Sequence, residues 1–254
     1  MTAHFQAPQG RISLVGAGPG AADLLTLRAL RAIQTADVVL NDRLITPEVL
    51  ELIPATTRRI AVGKEVGANA WPQARINALM VAEALVGAHV VRLKSGDPAI
   101  FARAAEELEA ALAHGLPVQI VPGITAASAA AASLGRPLTT RGVAQRLVIA
   151  TATDETDTAL PEALPPGTTL ALYMAARKLA AVEAHLLAQG LDPQTEVAAV
   201  TSASQRTETI RRVPLKGMAQ ALSFGGAPKV LILTEGLLIG VASSLALTAF
   251  CPAP

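Results

Sequence analysis

Short apolar runs at residues 12–15, 36–40, 59–62, 89–93 and 118–121 punctuate the first half of the chain and read as strands. Between them lie segments with helical spacing. Residues 24–35 place Leu24, Leu27, Leu30 and Ile33 on one face, and further helices are expected at 47–52, 72–86, 100–113 and after Pro122-Gly-Ile-Thr. Asp23 stands where a carboxylate can cap the first helix, and Pro72 sits where proline commonly opens one. Strands separated by helical stretches imply parallel pairing through crossovers.

The texture changes at Gly135-Arg-Pro-Leu-Thr-Thr-Arg141, which carries turn formers and charges. Beyond it, strands are expected at 147–150, 169–173, 196–200, 208–213 and 230–233, with helices at 178–189 and 216–222. Several of these strands are separated only by turns, which suits a mixed sheet. The expected architecture is therefore two α/β domains. Residues 11–132 form the first, with a mainly parallel sheet, and 133–240 form the second, with a mixed sheet; 1–10 and 241–254 are tails.

Composition narrows the picture. Of 254 residues, 51% are apolar and 16% charged, enough for a sizeable core and unlike a disordered chain. Aromatics supply only 2%, and alanine is abundant, which suits helices lying close against a sheet. The scarcity of rings and a net charge of +1 argue against nucleic-acid binding. A lone Cys251 rules out a disulfide framework or a cysteine-ligated zinc within one chain, and no metal is expected. The start of the chain lacks the basic and apolar regions of a signal peptide. The apolar run at 237–250 is shorter than the roughly 20 residues of a spanning helix. A cytoplasmic protein with no membrane partner is expected.

In open parallel sheets, ligands bind beyond the carboxyl ends of the strands. Four segments fall there: 16–20, Asn41-Asp42-Arg43, Ser95-Gly96-Asp97-Pro98 and Pro122-Gly123-Ile124-Thr125. The first, Gly16-Ala-Gly-Pro-Gly, has the look of a dinucleotide fingerprint. Ala21, however, replaces its third glycine, and Pro19 removes a donor that a pyrophosphate would need. The turn suits a ligand that needs close backbone approach without a phosphate cradle.

These residues resemble the tetrapyrrole (precorrin) methyltransferases. The resemblance rests on Leu14-Val-Gly-Ala-Gly-Pro-Gly, Ala36-Asp-Val-Val-Leu-Asn-Asp-Arg-Leu-Ile, Val62-Gly-Lys64 and Pro72-Gln-Ala-Arg-Ile-Asn. Val91-Arg-Leu-Lys-Ser-Gly-Asp-Pro, Val121-Pro-Gly-Ile-Thr-Ala-Ala-Ser and Leu172-Tyr-Met174 continue it in the same order. It covers residues 11–240 and is strongest to the members that methylate uroporphyrinogen III. It implies a homodimer whose two domains hold S-adenosylmethionine, and S-adenosylhomocysteine as product, in the cleft between them. It implies cofactor contacts from Pro19, Ser95, Gly96, Asp97, Ile100, Thr125, Ala126, Met174 and Ala203. Met174, on sequence alone, equally suits plain core packing.

The implied reaction adds methyl groups to two ring carbons of uroporphyrinogen III, giving precorrin-2 for sirohaem or cobalamin. The resemblance places Asp42 and Lys64 at the family's positions for a proton acceptor and a proton donor. The substrate carries carboxylates, so a cationic rim is expected, with Arg43, Arg103 and Arg141 as its leading candidates and Lys64, Arg136 and Arg146 as others. At this length there is no room for a further oxidase or chelatase domain, and methylation alone is expected.

The chain also departs from the family pattern. The usual Gly-Gly-Asp-Pro-Phe-Ile-Phe-Gly-Arg-Gly-Gly-Glu-Glu reads Ser95-Gly-Asp-Pro-Ala-Ile-Phe-Ala-Arg-Ala-Ala-Glu-Glu. Alanine resists positive φ, so a glycine that needed it would be altered; Ala102, Ala104 and Ala105 instead favour a regular helix. A family Tyr is Asn41, a His after Val-Gly-Lys is missing, Leu-Thr-His-Arg reads Leu138-Thr-Thr-Arg, and Thr-Gly-His reads Thr151-Ala-Thr. Three alternatives stay open: a methylase of a later corrin precursor or of another target, a nicotinamide-dependent oxidoreductase, and a non-catalytic paralogue that binds cofactor or tetrapyrrole.

Overall fold

The computed structural model describes residues 10–63, 71–152, 160–222 and 229–234, except for the side chains of 229, 233 and 234. Five strands make a wholly parallel sheet: β1 (Arg11–Gly16), β2 (Val38–Asn41), β3 (Arg58–Ala61), β4 (His89–Lys94) and β5 (Val118–Val121), in the order β3-β2-β4-β1-β5. The strands are joined by α1 (Leu27–Gln34), α2 (Pro47–Leu50), α3 (Gln73–Leu85) and α4 (Ala104–Ala113). Central β4 is buried along its whole length, as a strand covered on both faces must be. One face carries Ile12, Leu14, Leu40 and Val90 against Ile76, Met80 and Ala111 of α3 and α4. The other carries Val15, Val39, Val91 and Leu93 against Ala29, Ile33 and Val49.

A second sheet holds β6 (Arg146–Thr151), β7 (Thr168–Tyr173), β8 (Glu196–Thr201), β9 (Thr209–Pro214) and β10 (Lys229–Thr234), in the order β6-β7-β10-β8-β9. Only β6 and β7 pair in parallel; the others are antiparallel, so this sheet is mixed. Helices α6 (Leu179–Ala188) and α7 (Met218–Ala221) cover one face with Leu179, Val182, Leu186 and Met218. The other face receives α5 (Ala126–Leu134), although α5 directly follows a strand of the first sheet. Its sequence, AASAAAASL, combines the best helix former with the smallest apolar side chain. Ala127, Ala129 and Ala130 thus lie close on Ala171 and Ala198. This is the tight helix-on-sheet contact that the alanine content suggested. The helix stops at Gly135, in the left-handed region at φ 65°, with the Gly135 and Arg136 N–H groups bonded back to Ala132 and Ala131.

The expected two-sheet α/β architecture is observed, with corrections at the helix ends. Asp23 caps nothing: residues Ala22–Leu24 form a 3-10 turn, and the first helix starts after Thr26, whose hydroxyl accepts the Ala29 N–H at 3.1 Å. The expected apolar face of that helix is also rotated. Leu27 is 70% exposed, and Ala29, Ala32 and Ile33 make the buried stripe. Pro72 precedes its helix in extended conformation rather than lying inside it. The helix expected from residue 100 starts at Ala104, because Phe101 and Arg103 take left-handed φ of 49° and 56°. Among the described residues, no helix is long and apolar enough to cross a membrane. Cys251 and the run at 237–250 lie outside the described residues.

Candidate active site

Parallel pairing puts the carboxyl ends of β1, β2, β4 and β5 on one edge, so the four expected segments form one rim. Two loops of that rim are sewn together: Gly96 N–H donates to Gly18 O at 2.8 Å and Gly18 N–H to Gly96 O at 3.2 Å. Gly123, from the loop after β5, presses into the same spot. A Cβ there would sit 2.2 Å from the Gly96 carbonyl oxygen, so no side chain fits without moving the loop. Gly96 itself takes φ 72°, and its missing side chain would point into open space. The backbone of this loop is therefore bare toward the cleft.

Asp97 braces the rim. Its Oδ1 accepts the Ala99 N–H at 2.7 Å, and its Oδ2 accepts the Gly123 N–H at 3.0 Å. Beside it opens a cavity of about 510 Å³, lined by Leu24, Asp97, Ile100, Gly123, Ile124, Thr125, Ser128, Ala129 and Ala132. That volume lies in the range of small-molecule sites, and the lining is apolar with hydroxyls and one carboxylate. Among the described residues, no cationic side chain lines it to neutralise a phosphate.

One edge of the second sheet meets the first rim. Strands β7 and β8 both run antiparallel to β10, so Met174 and Ala203, just past their ends, share an edge. Tyr173 ties that edge to the first rim: its hydroxyl lies 2.5 Å from Thr125 Oγ1 and accepts the Ala127 N–H at 2.7 Å. Burial raises the Tyr173 pKa, opposed by its Thr125 and Ala127 hydrogen bonds. The Phe101 ring lies tilted against it, centroids 5.5 Å apart. A second tie joins the loop after β8 to the glycine turn. Ala21 N–H donates to Ser204 Oγ at 3.2 Å, and Gln205 Nε2 donates to Pro19 O at 3.1 Å. Met174 is 49% exposed at φ 56°, so the core-packing alternative fails. Ala203 is buried within its loop. Left-handed non-glycine residues cluster here: Phe101, Arg103, Met174, Ser202 and Ser204.

The lost glycines cause no strain. Ser95, Ala102, Ala104 and Ala105 all avoid positive φ, whereas Gly96, which needs it, is kept. Ala104 and Ala105 form the first turn of α4, while Ala102 stays outside it between two left-handed neighbours.

Asp42, half-buried past the end of β2, meets Arg92 from β4, with Nη2 to Oδ1 at 2.5 Å. Arg92 leads to Glu107 and Lys94, both buried, in a cluster of four charges. Desolvation and the neighbouring Arg92 lower the Lys94 pKa, while Glu107 opposes them. Arg92, Lys94 and Glu107 were not among the candidates from sequence. The signal was present: two cations at alternate positions, Arg92 within and Lys94 just past a run read from its apolar residues as a strand. Asn41, where the family has Tyr, is buried with its Oδ1 unpartnered among the described residues.

Arg43 and Arg141 are exposed in the loops after β2 and α5, and Arg103 is paired to Glu106 through two 2.7 Å bonds. Arg136 binds Glu196, at the start of β8, and Arg146 begins β6. Both therefore sit at the end of the second sheet opposite Met174 and Ala203, some 15–20 Å away along the strands. Lys64 and the position of the missing His lie outside the described residues.

Residues 11–219 match the profile of the tetrapyrrole (corrin/porphyrin) methylases. A uroporphyrinogen-III C-methyltransferase from Paracoccus denitrificans is 44% identical, over 95% of this chain and 86% of that protein. A siroheme synthase from Baumannia cicadellinicola is 42% identical over 91% of this chain, and the match spans only 51% of that longer protein. The uroporphyrin-III C-methyltransferase of Thermus thermophilus, crystallised with S-adenosylhomocysteine, superposes with a TM-score of 0.75 at 35% identity. It covers 89% of this chain and 92% of the other.

Proposed function

The chain belongs to the tetrapyrrole (corrin/porphyrin) methylases, and from that premise we propose that it methylates two ring carbons of uroporphyrinogen III at the expense of S-adenosylmethionine, giving precorrin-2. The observation that carries the cofactor is the 510 Å³ cavity beside the bare Gly96 backbone, lined among the described residues by one carboxylate and no cation. A sulfonium nucleoside with an ammonium and no phosphates fits that donor set. Bound there, it supplies a methyl group on a departing sulfur.

Of the nine expected contacts, Asp97, Ile100 and Thr125 line the cavity itself. Ser95, Gly96 and Ala126 adjoin them in the chain, and Pro19, Met174 and Ala203 lie on the loops that the two interlobe ties bring up to the rim. In our reading Thr125 and Ala126 orient the nucleoside and Asp97 takes its ammonium. Holding donor and acceptor in line is worth roughly 7–11 kcal/mol of a bimolecular barrier. An electron-rich pyrrole carbon forms the new bond to the methyl carbon as the sulfur leaves with its electron pair. The proton shed by the macrocycle passes to the Asp42 carboxylate, with Lys64 as the returning donor. Arg43, Arg103 and Arg141 bind the macrocycle's carboxylates from exposed positions, so substrate KM rises with ionic strength.

The same reading divides the chain into lobes 11–132 and 133–240 and places it in the cytoplasm as a homodimer; the family resemblance supports both, and sedimentation of the purified protein tests the dimer. Incubation with uroporphyrinogen III and methyl-labelled adenosylmethionine tests the reaction, with two labels expected per macrocycle. A second reading draws on the missing polar groups, of which Asn41 is the buried example. Saturable adenosylhomocysteine binding with no label transferred would favour that non-catalytic binder.

A further inference from the structure

Arg92 and Lys94 project from one face of β4 toward α4, where Glu107 meets both. Lys94 Nζ donates to both Glu107 oxygens at 2.8 Å, Arg92 Nε donates to Oε1 at 3.0 Å, and Gln73 Nε2 adds a contact at 3.2 Å. Arg92 Nη1 donates to the Leu40 and Leu93 carbonyls at 3.3 and 3.2 Å, leaving Nη2 aimed at Asp42. The guanidinium is thus held on three sides before it reaches the rim. Side-chain exposure is 3% for Arg92 and Lys94, zero for Glu107 and 31% for Asp42. Three buried charges are a poor way to stabilise a core, since apolar replacements of such clusters often fold as well or better. Their connection to Asp42, a half-exposed carboxylate of the rim, gives them another use.

We propose that Glu107 is a positioning residue for methyl transfer: it fixes the Arg92 guanidinium so that Arg92 holds Asp42 Oδ1 and leaves Oδ2 to take the macrocycle's proton. Lys94 balances the charge beneath. This rests on the reading of Asp42 as proton acceptor. Among the described residues Asp42 Oδ1 is engaged by Arg92 and Oδ2 carries no hydrogen bond, so Oδ2 keeps its lone pairs for a proton. A glutamine at 107 would set its own N–H₂ against Lys94 or Arg92 and release the guanidinium.

The test compares Glu107→Gln, the charge-balanced double variant Lys94→Met/Glu107→Gln, and Asp42→Asn with the unaltered protein. Single-turnover methyl transfer, substrate KM and adenosylhomocysteine affinity are measured on each. Glu107→Gln is expected to lower kcat by about 100-fold, with KM and affinity within about threefold of the parent. The double variant restores charge balance without restoring the grip on Arg92, so it stays impaired by at least about tenfold. Recovery of parental kcat in the double variant overturns the proposal, because Glu107 would then only balance charge. So does parental kcat in Glu107→Gln beside a crippled Asp42→Asn, or joint loss of kcat and affinity. If Glu107→Gln does not fold, the double variant decides alone, and its failure to fold as well would show a structural role. Full activity of Asp42→Asn would instead overturn the underlying assignment of the base.

Discussion

The two five-stranded sheets bury different things. Among the described residues, the first lobe buries His89, Arg92, Lys94 and Glu107 along with Ser13, Asn41 and Thr46. The buried polar groups of the second are the threonines 168, 169, 195 and 201, every one a neutral hydroxyl. A core that buries charge carries a desolvation cost that a hydroxyl core does not. The ionic groups sit in the lobe with the parallel sheet, whose strand ends assemble the rim. The second lobe supplies shape and grip: Tyr173, Ser204 and Gln205 reach across to the first rim, and Met174 stands exposed at the edge. On the proposed reading, the first lobe carries the chemistry and the second the closure.

The sharpest way to break that division is to remove charge from the first lobe. Asp42→Asn is expected to lower turnover by about 10²–10⁴-fold while leaving adenosylhomocysteine affinity within about threefold, as titration calorimetry and single-turnover assays would show. Next comes the junction of the rim loops. Gly123→Ala places a methyl group 2.2 Å from the Gly96 oxygen, so the loops must part. Overpacking of this kind costs about 1–3 kcal/mol, read as adenosylhomocysteine affinity weakened by about 5- to 150-fold. On the second lobe, Tyr173→Phe deletes the hydroxyl shared by Thr125 and Ala127. About 1–2 kcal/mol of affinity is expected to go, with kcat nearly unchanged. A kcat loss as large as that of Asp42→Asn would show that the second lobe does chemistry too.

The smallest effect lies at the opposite end of the first sheet. His89 is buried, with Nδ1 2.9 Å from Thr35 O and Nε2 3.0 Å from Ser13 Oγ. Burial lowers its pKa below 6.5, opposed by the Thr35 hydrogen bond. Below about pH 6.5 the unfolded chain therefore binds a proton that the folded one refuses, and stability falls on acidification through the window down to the folded pKa. The slope is at most about 1.4 kcal/mol per pH unit, and melting temperatures of His89→Gln between pH 5 and 7 are expected to show it flattened.

Much of this was legible in the residues. Apolar runs located the strands, and their alternation with helices gave parallel pairing, because the crossover leaves little choice. The rim could be read too, since strand ends in a parallel sheet must share an edge. Helix ends could not: Thr26 rather than Asp23 caps the first helix, and only the backbone at Phe101 and Arg103 explains why α4 starts late. The exposure of Leu27 and the burial of Ala29 show the limit of periodicity where alanine can serve as the core face. Glu107 stood unnoticed in a helix of ordinary polarity, because its role depends on two residues of β4 that only the fold brings to it.

A crystal of the protein grown with S-adenosylhomocysteine puts the account to its most direct test. The nucleoside is expected in the pocket beside Asp97, Ile100 and Thr125, its sulfur turned toward the carboxyl end of β2 and Asp42. The same molecule bound elsewhere, or that pocket empty at saturating concentration, would contradict it.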